Sequence, residues 1–316
     1  MVSSSKKTVL ITGATGQQGR AVITALLEQH RDSAGMGIIA VTRSPSSPAA
    51  QRLGCLSPSI RVIAGDLSDP AAIFVAAGEP VWAVYSVQVN SDAEEAQGKA
   101  LVDAAARHGV RHFVYSSGDR GGPARSDANP TDVRNFRAKY EIERHLRARA
   151  EACGMTYTIL RPVTFFENLG GDLHGRGLAR MWAQMGREKK LQFVATADIG
   201  WFAAQSLAFP GDARYLNEAL TLVGDELTQA EADIVFRDVL GGGAGSSDKP
   251  RMPMAPCLVG SAVKWVKRDT VGDMFAWFER EGYGGSVQEC RTWYPGMRDW
   301  KAWLAENRGR WEGWEG

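Results

Sequence analysis

The chain has 316 residues, of which 44% are hydrophobic and 23% charged, and its formal net charge is +1. That length exceeds one average domain and falls short of three, and the composition is that of an ordinary globular protein. With no basic surplus, direct nucleic-acid binding and an acidic membrane surface are both excluded as expected partners.

Met1–Lys7 is short and polar and runs straight into Thr8-Val9-Leu10-Ile11-Thr12. No apolar stretch precedes a cleavage site, and none approaches the roughly 18 residues that span a bilayer. A cytoplasmic chain is the expectation. Thr8–Thr12 reads as a strand stopped by glycine, and Gly19–His30 carries Ala21, Val22, Leu26 and Leu27 on one helical face. Gly37–Thr42 is a second strand ending at Arg43, before the Ser/Pro-rich loop Ser44–Pro48. Further strands are predicted at Ser59–Ala64, Val81–Val87, Arg111–Ser116 and Thr156–Leu160, and helices at Gly98–His108 and Asp132–Cys153. Strands alternating with helices of this length imply a parallel sheet covered on both faces, and right-handed crossovers make it doubly wound.

After Pro162 the rhythm breaks into mixed helices, loops and isolated strands. The fold class is therefore α/β: a Rossmann doubly wound parallel sheet over 1–162, with a second, smaller α+β C-terminal domain over 163–316. Segments at about 196–224, the helix around Ile199–Phe209 and the strand Ala219–Val223, return to the first domain. Gly241–Pro253 reads as a flexible loop. Eight of the ten tryptophans lie from Trp201 onward. Either they pack the small domain, the reading preferred for most of them, or they line an aromatic cleft. The four cysteines, Cys55, Cys153, Cys257 and Cys290, are scattered without a metal-ligand spacing. No metal site and no disulfide framework is expected, and each reads as a small buried or half-buried hydrophobe.

Chemistry begins at Gly13-Ala14-Thr15-Gly16-Gln17-Gln18-Gly19, which ends the first strand and opens the first helix. Gly13 permits the tight turn, Gly16 lets backbone approach a pyrophosphate, and Gly19 allows close helix–strand packing. Backbone N–H groups and the helix dipole then face phosphate, so a dinucleotide is expected here rather than a mere turn. A site for NAD usually ends its second strand with an acid that binds the ribose 2′-OH. None stands at Val41, Thr42, Arg43 or Ser44. A guanidinium at Arg43 suits a 2′-phosphate, which selects NADP(H). Arg20 is either a second phosphate ligand or a solvated side chain.

Gly13–Gly19, Val41-Thr42-Arg43, Gly65-Asp66-Leu67, the Lys139 helix and Leu160-Arg161-Pro162…Phe166-Glu167-Asn168-Leu169 together resemble the NmrA-like family, atypical members of the short-chain dehydrogenase/reductase superfamily. Asp198-Ile199-Gly200 and Leu222–Thr228 extend the resemblance over most of the chain. It implies an NADP-binding Rossmann domain, a small C-terminal domain, and a cleft between them. It implies that Thr15, Gln17 and Gln18 belong to the cofactor loop, that Asp66 and Leu67 lie beside adenine, and that the loop Tyr85–Asn90, with Val87, passes the nicotinamide-side ribose. It implies that Lys139 reaches that ribose and that Pro162–Phe166, with Val163 and Phe165, lies near the nicotinamide. Read from the residues alone, Asp66 could equally open a turn with Ser68-Asp69-Pro70, and Lys139 could pair with Glu143 at i,i+4.

The superfamily's Tyr-x-x-x-Lys motif is broken, because Asn135 stands where the tyrosine would be. An amide cannot act as a phenolic acid, and Tyr140 points about 100° around the helix from Lys139. The isoflavone-reductase-like relatives lack the tyrosine too, which leaves Lys139 as the catalytic candidate, with Ser117, Tyr85 or water as other proton donors. Two functions follow. The first is an NADPH-dependent reductase of a carbonyl, enone or imine on a small, aromatic-leaning molecule. The second is a redox sensor that binds NADP(H) and acts through a regulatory protein partner. The aromatic C-terminal half tips the reading towards the enzyme. Oligomeric state is left open.

Overall fold

The structure, a computed structural model, describes residues 7–29, 36–241, 251–256 and 272–311. Most of the loop expected over Gly241–Pro253 lies outside these residues, as do Cys257, Trp265 and Trp314. In chain order the first elements are β1 (Lys7–Ile11), α1 (Gln17–Gln29), β2 (Met36–Thr42), α2 (Pro48–Gly54), β3 (Ile60–Ala64), α3 (Pro70–Ala77), β4 (Ala83–Ser86), α4 (Glu94–Arg107) and β5 (His112–Ser116). There follow α5 (Pro123–Ala128), α6 (Arg134–Cys153), β6 (Thr156–Pro162), β7 (Thr164–Phe165), α7 (Leu173–Gln184), β8 (Leu191–Val194), α8 (Thr196–Ala208), β9 (Glu218–Leu222), β10 (Asp225–Leu227) and α9 (Gln229–Leu240). Helices at Asp273–Arg280, Val287–Trp293 and Trp300–Glu306 come last.

The large sheet has seven strands in the order β3-β2-β1-β4-β5-β6-β9. Its ladders β3–β2, β2–β1, β1–β4, β4–β5 and β5–β6 are all parallel. Central strands such as β4 and β5 are buried along their whole length, as a sheet covered on both faces requires. The Rossmann arrangement expected from the alternating pattern is thus the one formed, with the order reversing between β1 and β4.

Two helices, α2 and α3, fall where the sequence reading placed loop or assigned nothing. Each opens with a capping side chain and proline in its first turn. Ser47 accepts from the Ala50 N–H before Pro48, and Asp69 accepts from the Ala72 N–H before Pro70. The signal was present as Ser-Pro and Asp-Pro, but both helices are too short for periodicity to show.

The chain divides into two compact units. The first comprises 1–118, 137–161 and 196–220; the second comprises 119–136, 162–195 and 221–316. These bounds differ from the expected 1–162 with returning segments at about 196–224. The segment 119–136 belongs to the second unit, because Val133 and Phe136 enter that unit's hydrophobic core. Asp119, fully buried, also accepts hydrogen bonds from Gly121, Gly122, Thr221 and Gly284 within it. Its small sheet runs β10-β8-β7, with β8 antiparallel to β10 and parallel to β7.

Trp182, Trp277, Trp300, Trp303 and Trp311 are all buried in the second unit's core, with Trp300 stacked on Trp303 at 5.5 Å. These five pack rather than line a cleft, so they lend no weight to an aromatic pocket. Cys55 and Cys153 are exposed, contrary to the buried reading, because they stand at the C-terminal ends of α2 and α6; Cys290 is buried.

Candidate functional site

The first unit encloses a cavity of about 550 Å³ at the carboxyl ends of β1, β2, β3 and β4. One wall is the glycine turn. Gly13 has φ +58°, a left-handed conformation that side chains rarely adopt. A Cβ on it would lie 2.8 Å from Val87 Cγ1, so glycine is required twice over. Gly16 donates to the Gly13 carbonyl at 2.8 Å and lines the cavity. A Cβ there would meet the Gly13 oxygen at 3.1 Å and otherwise occupy the cavity itself. Gly19 lies behind the turn, where a Cβ would stand 2.3 Å from the Gly13 oxygen. Its close packing is therefore against the turn. Thr12 ties the turn to the neighbouring strand: its hydroxyl accepts from the Val87 N–H at 2.9 Å.

The other wall carries Thr42, Arg43, Ser44 and Ser47 after β2, and Gly65, Asp66 and Leu67 after β3. Arg43 is exposed and no acid stands at the end of β2. Asp66 accepts from both the N–H and the hydroxyl of Ser68 at 2.8 Å. Those bonds, with a smaller contribution from Arg43, hold its carboxyl below the ordinary range. The turn reading and the cavity reading of Asp66 are thus compatible. Arg20 directs its Nε to the Gly16 carbonyl at 3.4 Å and does not line the cavity.

Three polar clusters lie in the same unit, among residues that do not line the cavity. Gln18 Oε1 accepts from Tyr85 Oη at 3.1 Å and from Ser116 Oγ at 2.6 Å. Tyr85 is fully buried, and burial pushes its hydroxyl far above the ordinary tyrosine range, which removes it as a ready proton donor. Ser117 donates to Glu143, whose carboxylate is also held by Arg161 at 2.5 Å. Lys139 Nζ pairs with Glu94 Oε1 at 2.5 Å. The alternative i,i+4 pairing of Lys139 with Glu143 is not the one formed. Arg161 and Ser117 occupy Glu143 instead.

The cavity therefore gathers Gly13, Thr15, Gly16, Arg43, Asp66, Leu67 and Val87 of the residues expected at a cofactor. Gln17, Gln18, Gly19 and Lys139 do not line it. Val163 and Phe165 belong to the second unit, where the Val163 N–H bonds to the Leu222 carbonyl and Phe165 pairs with Val194 in the small sheet. Sequence reasoning missed Ser47, Ser91 and Gln97 as lining residues. They come from the cap of α2 and from α4 and the loop before it, and only the folding of the sheet brings them to this wall. Among the described residues no cluster of His, Cys, Asp or Glu could hold a metal, and no helix is long and apolar enough to cross a membrane.

A model of the NmrA-like family matches residues 5–295. Over 155 residues the chain is 35% identical to the NmrA-like family domain-containing oxidoreductase hkm9 of Aspergillus hancockii, a match covering 46% of this chain and 43% of that one. It thus spans less than half the length of that relative. Over 305 residues it is 28% identical to the chloroplastic divinyl chlorophyllide a 8-vinyl-reductase of Zea mays, covering 90% of this chain and 70% of that one. The NADPH-dependent quinone oxidoreductase QOR2 of Escherichia coli, solved with NADPH, shares the fold at a TM-score of 0.70 and 21% identity, covering 95% of this chain and 99% of that one.

Proposed function

This chain belongs to the NmrA-like family, and from that premise we propose that it is an NADPH-dependent oxidoreductase reducing a carbonyl, enone or imine of a small molecule. The observation that carries the reading is the cavity with a left-handed glycine turn on one wall and Arg43, unaccompanied by a strand-end acid, on the other. The names of its relatives support it: one is an oxidoreductase, one a vinyl-reductase, and one a quinone oxidoreductase holding NADPH.

The cavity fits such a cofactor. The space in front of Gly16, which a side chain would fill, admits a pyrophosphate to the N-terminal amides of α1. Arg43 offers charge-assisted hydrogen bonds to a 2′-phosphate, with the hydroxyls of Ser44 and Ser47 on the same wall. Bound NADPH supplies hydride. Lys139 is the residue of this chain that moves the matching proton, since the Asn135 amide is not an acid and the Tyr85 and Ser117 hydroxyls are bonded inside the unit. We place this activity in the cytoplasm.

The test follows NADPH oxidation at the nicotinamide absorbance band against a panel of ketones and quinones. Turnover with NADPH in preference to NADH is the expected result. No turnover across the panel, joined to an NADPH-dependent change in protease sensitivity or self-association, would replace the enzyme by the sensor.

A further inference from the structure

The partner that Lys139 has chosen is unusual for a residue meant to serve a bound molecule. Glu94 is 0% exposed, and Lys139 retains 16% of its side-chain exposure. Glu94 stands in the first turn of α4, where the helix dipole favours a carboxylate. Its Oε1 takes the ammonium, and its Oε2 is buried with no hydrogen-bond partner. Among the described residues, Lys139 is the side chain that hydrogen-bonds and ion-pairs with this carboxylate. Lys139 in turn spends one of its three donors on Glu94 and leaves two for whatever lies at its exposed edge.

Helix packing sets the geometry. One turn beyond Glu94 on α4 is Gly98, and three residues beyond Lys139 on α6 is Ile142. A Cβ on Gly98 would lie 2.4 Å from Ile142 Cδ1, so the Ile142 side chain packs directly on the glycine. One turn earlier on α4, the Glu94 carboxylate meets Lys139 Nζ at 2.5 Å. The same first turns of α4 carry Gln97, and the loop before them carries Val89 and Ser91, all on the cavity wall. The element that fixes the lysine also forms part of the cavity.

We propose that Glu94 is the positioning residue of Lys139: it holds the ammonium in place, with its two remaining donors presented to the bound nicotinamide nucleotide. This rests on the reading of Lys139 as a cofactor-facing residue. Glu94 itself touches neither cofactor nor substrate. In the reduction, the Lys139 ammonium gives one proton to the oxygen, carbon or nitrogen that accepts it, hydride comes from NADPH, and the resulting amine recovers its proton from water while Glu94 stays an anion.

The test measures Lys139 directly, by the rate of trace acetylation of the intact protein at one fixed pH, read by peptide mass spectrometry. Lys99, on α4 and paired with Glu95 and Glu141, serves as the internal control. In Glu94→Gln the acetylation of Lys139 should be at least about threefold faster, Lys99 should not change, and Glu94→Asp should restore part of the slow rate. NADPH should protect Lys139 in the unmutated protein, and in Glu94→Gln that protection should need about tenfold more NADPH. An unchanged rate, or a rise shared by Lys99, overturns the role of Glu94. Absence of NADPH protection in the unmutated protein, with the rate difference intact, instead overturns the placement of Lys139 at the cofactor.

Discussion

Replacing Lys139 with methionine will cost far more stability than a half-exposed lysine ordinarily does, and the loss will depend on pH. The reason is Glu94, which the substitution leaves fully buried with no partner. Removing one member of a buried pair typically costs 3–5 kcal/mol. The 16% exposure of Lys139 admits some water and favours the lower end. A second argument sets a ceiling. A stranded carboxylate takes up a proton instead of staying charged. At pH 7 that costs at most about 3.7 kcal/mol, or 1.36 for each pH unit above the ~4.3 at which free glutamate titrates. The same arithmetic leaves about 1 kcal/mol at pH 5. Urea unfolding followed by circular dichroism at pH 7 and pH 5 should therefore show Lys139→Met losing about 3 kcal/mol at the higher pH and about 1 at the lower. Adding Glu94→Gln removes the stranded charge, so the double variant should recover most of the loss at pH 7. A loss under ~1 kcal/mol at pH 7, equal at both pH values, would refute the reasoning. The double variant also gives the cleaner test of turnover, because Lys139→Met alone confounds chemistry with folding.

Arg43→Ala should weaken NADPH by about 1.5–3 kcal/mol while leaving NADH unchanged. Calorimetric titration showing equal affinity of the unmutated protein for both nucleotides would defeat the assignment. Gly16→Val should abolish NADPH binding in a chain that still folds, since it puts a branched side chain at a cavity-lining position where backbone would approach the pyrophosphate; unchanged affinity would reduce the glycines to a turn. Gly98→Ala drives a Cβ to 2.4 Å from Ile142 Cδ1 and should cost about 1–3 kcal/mol, partly relieved by Ile142→Val. If the single variant is neutral, the helices are not held at that contact. His112 is buried between Thr156 and Ser206, and burial lowers it to about 4. The unfolded chain protonates it near pH 6.5 and the folded chain only near 4, so stability falls as pH drops through that window, by roughly 3 kcal/mol. The fall should be shallower in His112→Gln, and identical slopes would show that His112 is not buried neutral.

What the sequence determined by itself was whatever local chemistry dictates. The left-handed turn at Gly13, the strand before it and the helix after it lie within a few residues of one another, and glycine, apolar run and helical period are all written there. Arg43 at the end of β2 is likewise a local fact, because the strand's end is set by its own residues. The two short helices were legible only through Ser47-Pro48 and Asp69-Pro70, where capping rather than periodicity carries the signal. Tertiary structure alone decided the rest. By i,i+4 spacing Glu143, four residues away, was the alternative partner for Lys139. The fold gave Glu143 to Arg161 and Ser117, and gave Lys139 a carboxylate 45 residues earlier. The segment 119–136 went to the second unit for a similar reason, through a fully buried Asp119 whose donors include Thr221 and Gly284. A buried charge must be neutralised by whatever group packing brings within about 3 Å, and packing does not answer to distance along the chain.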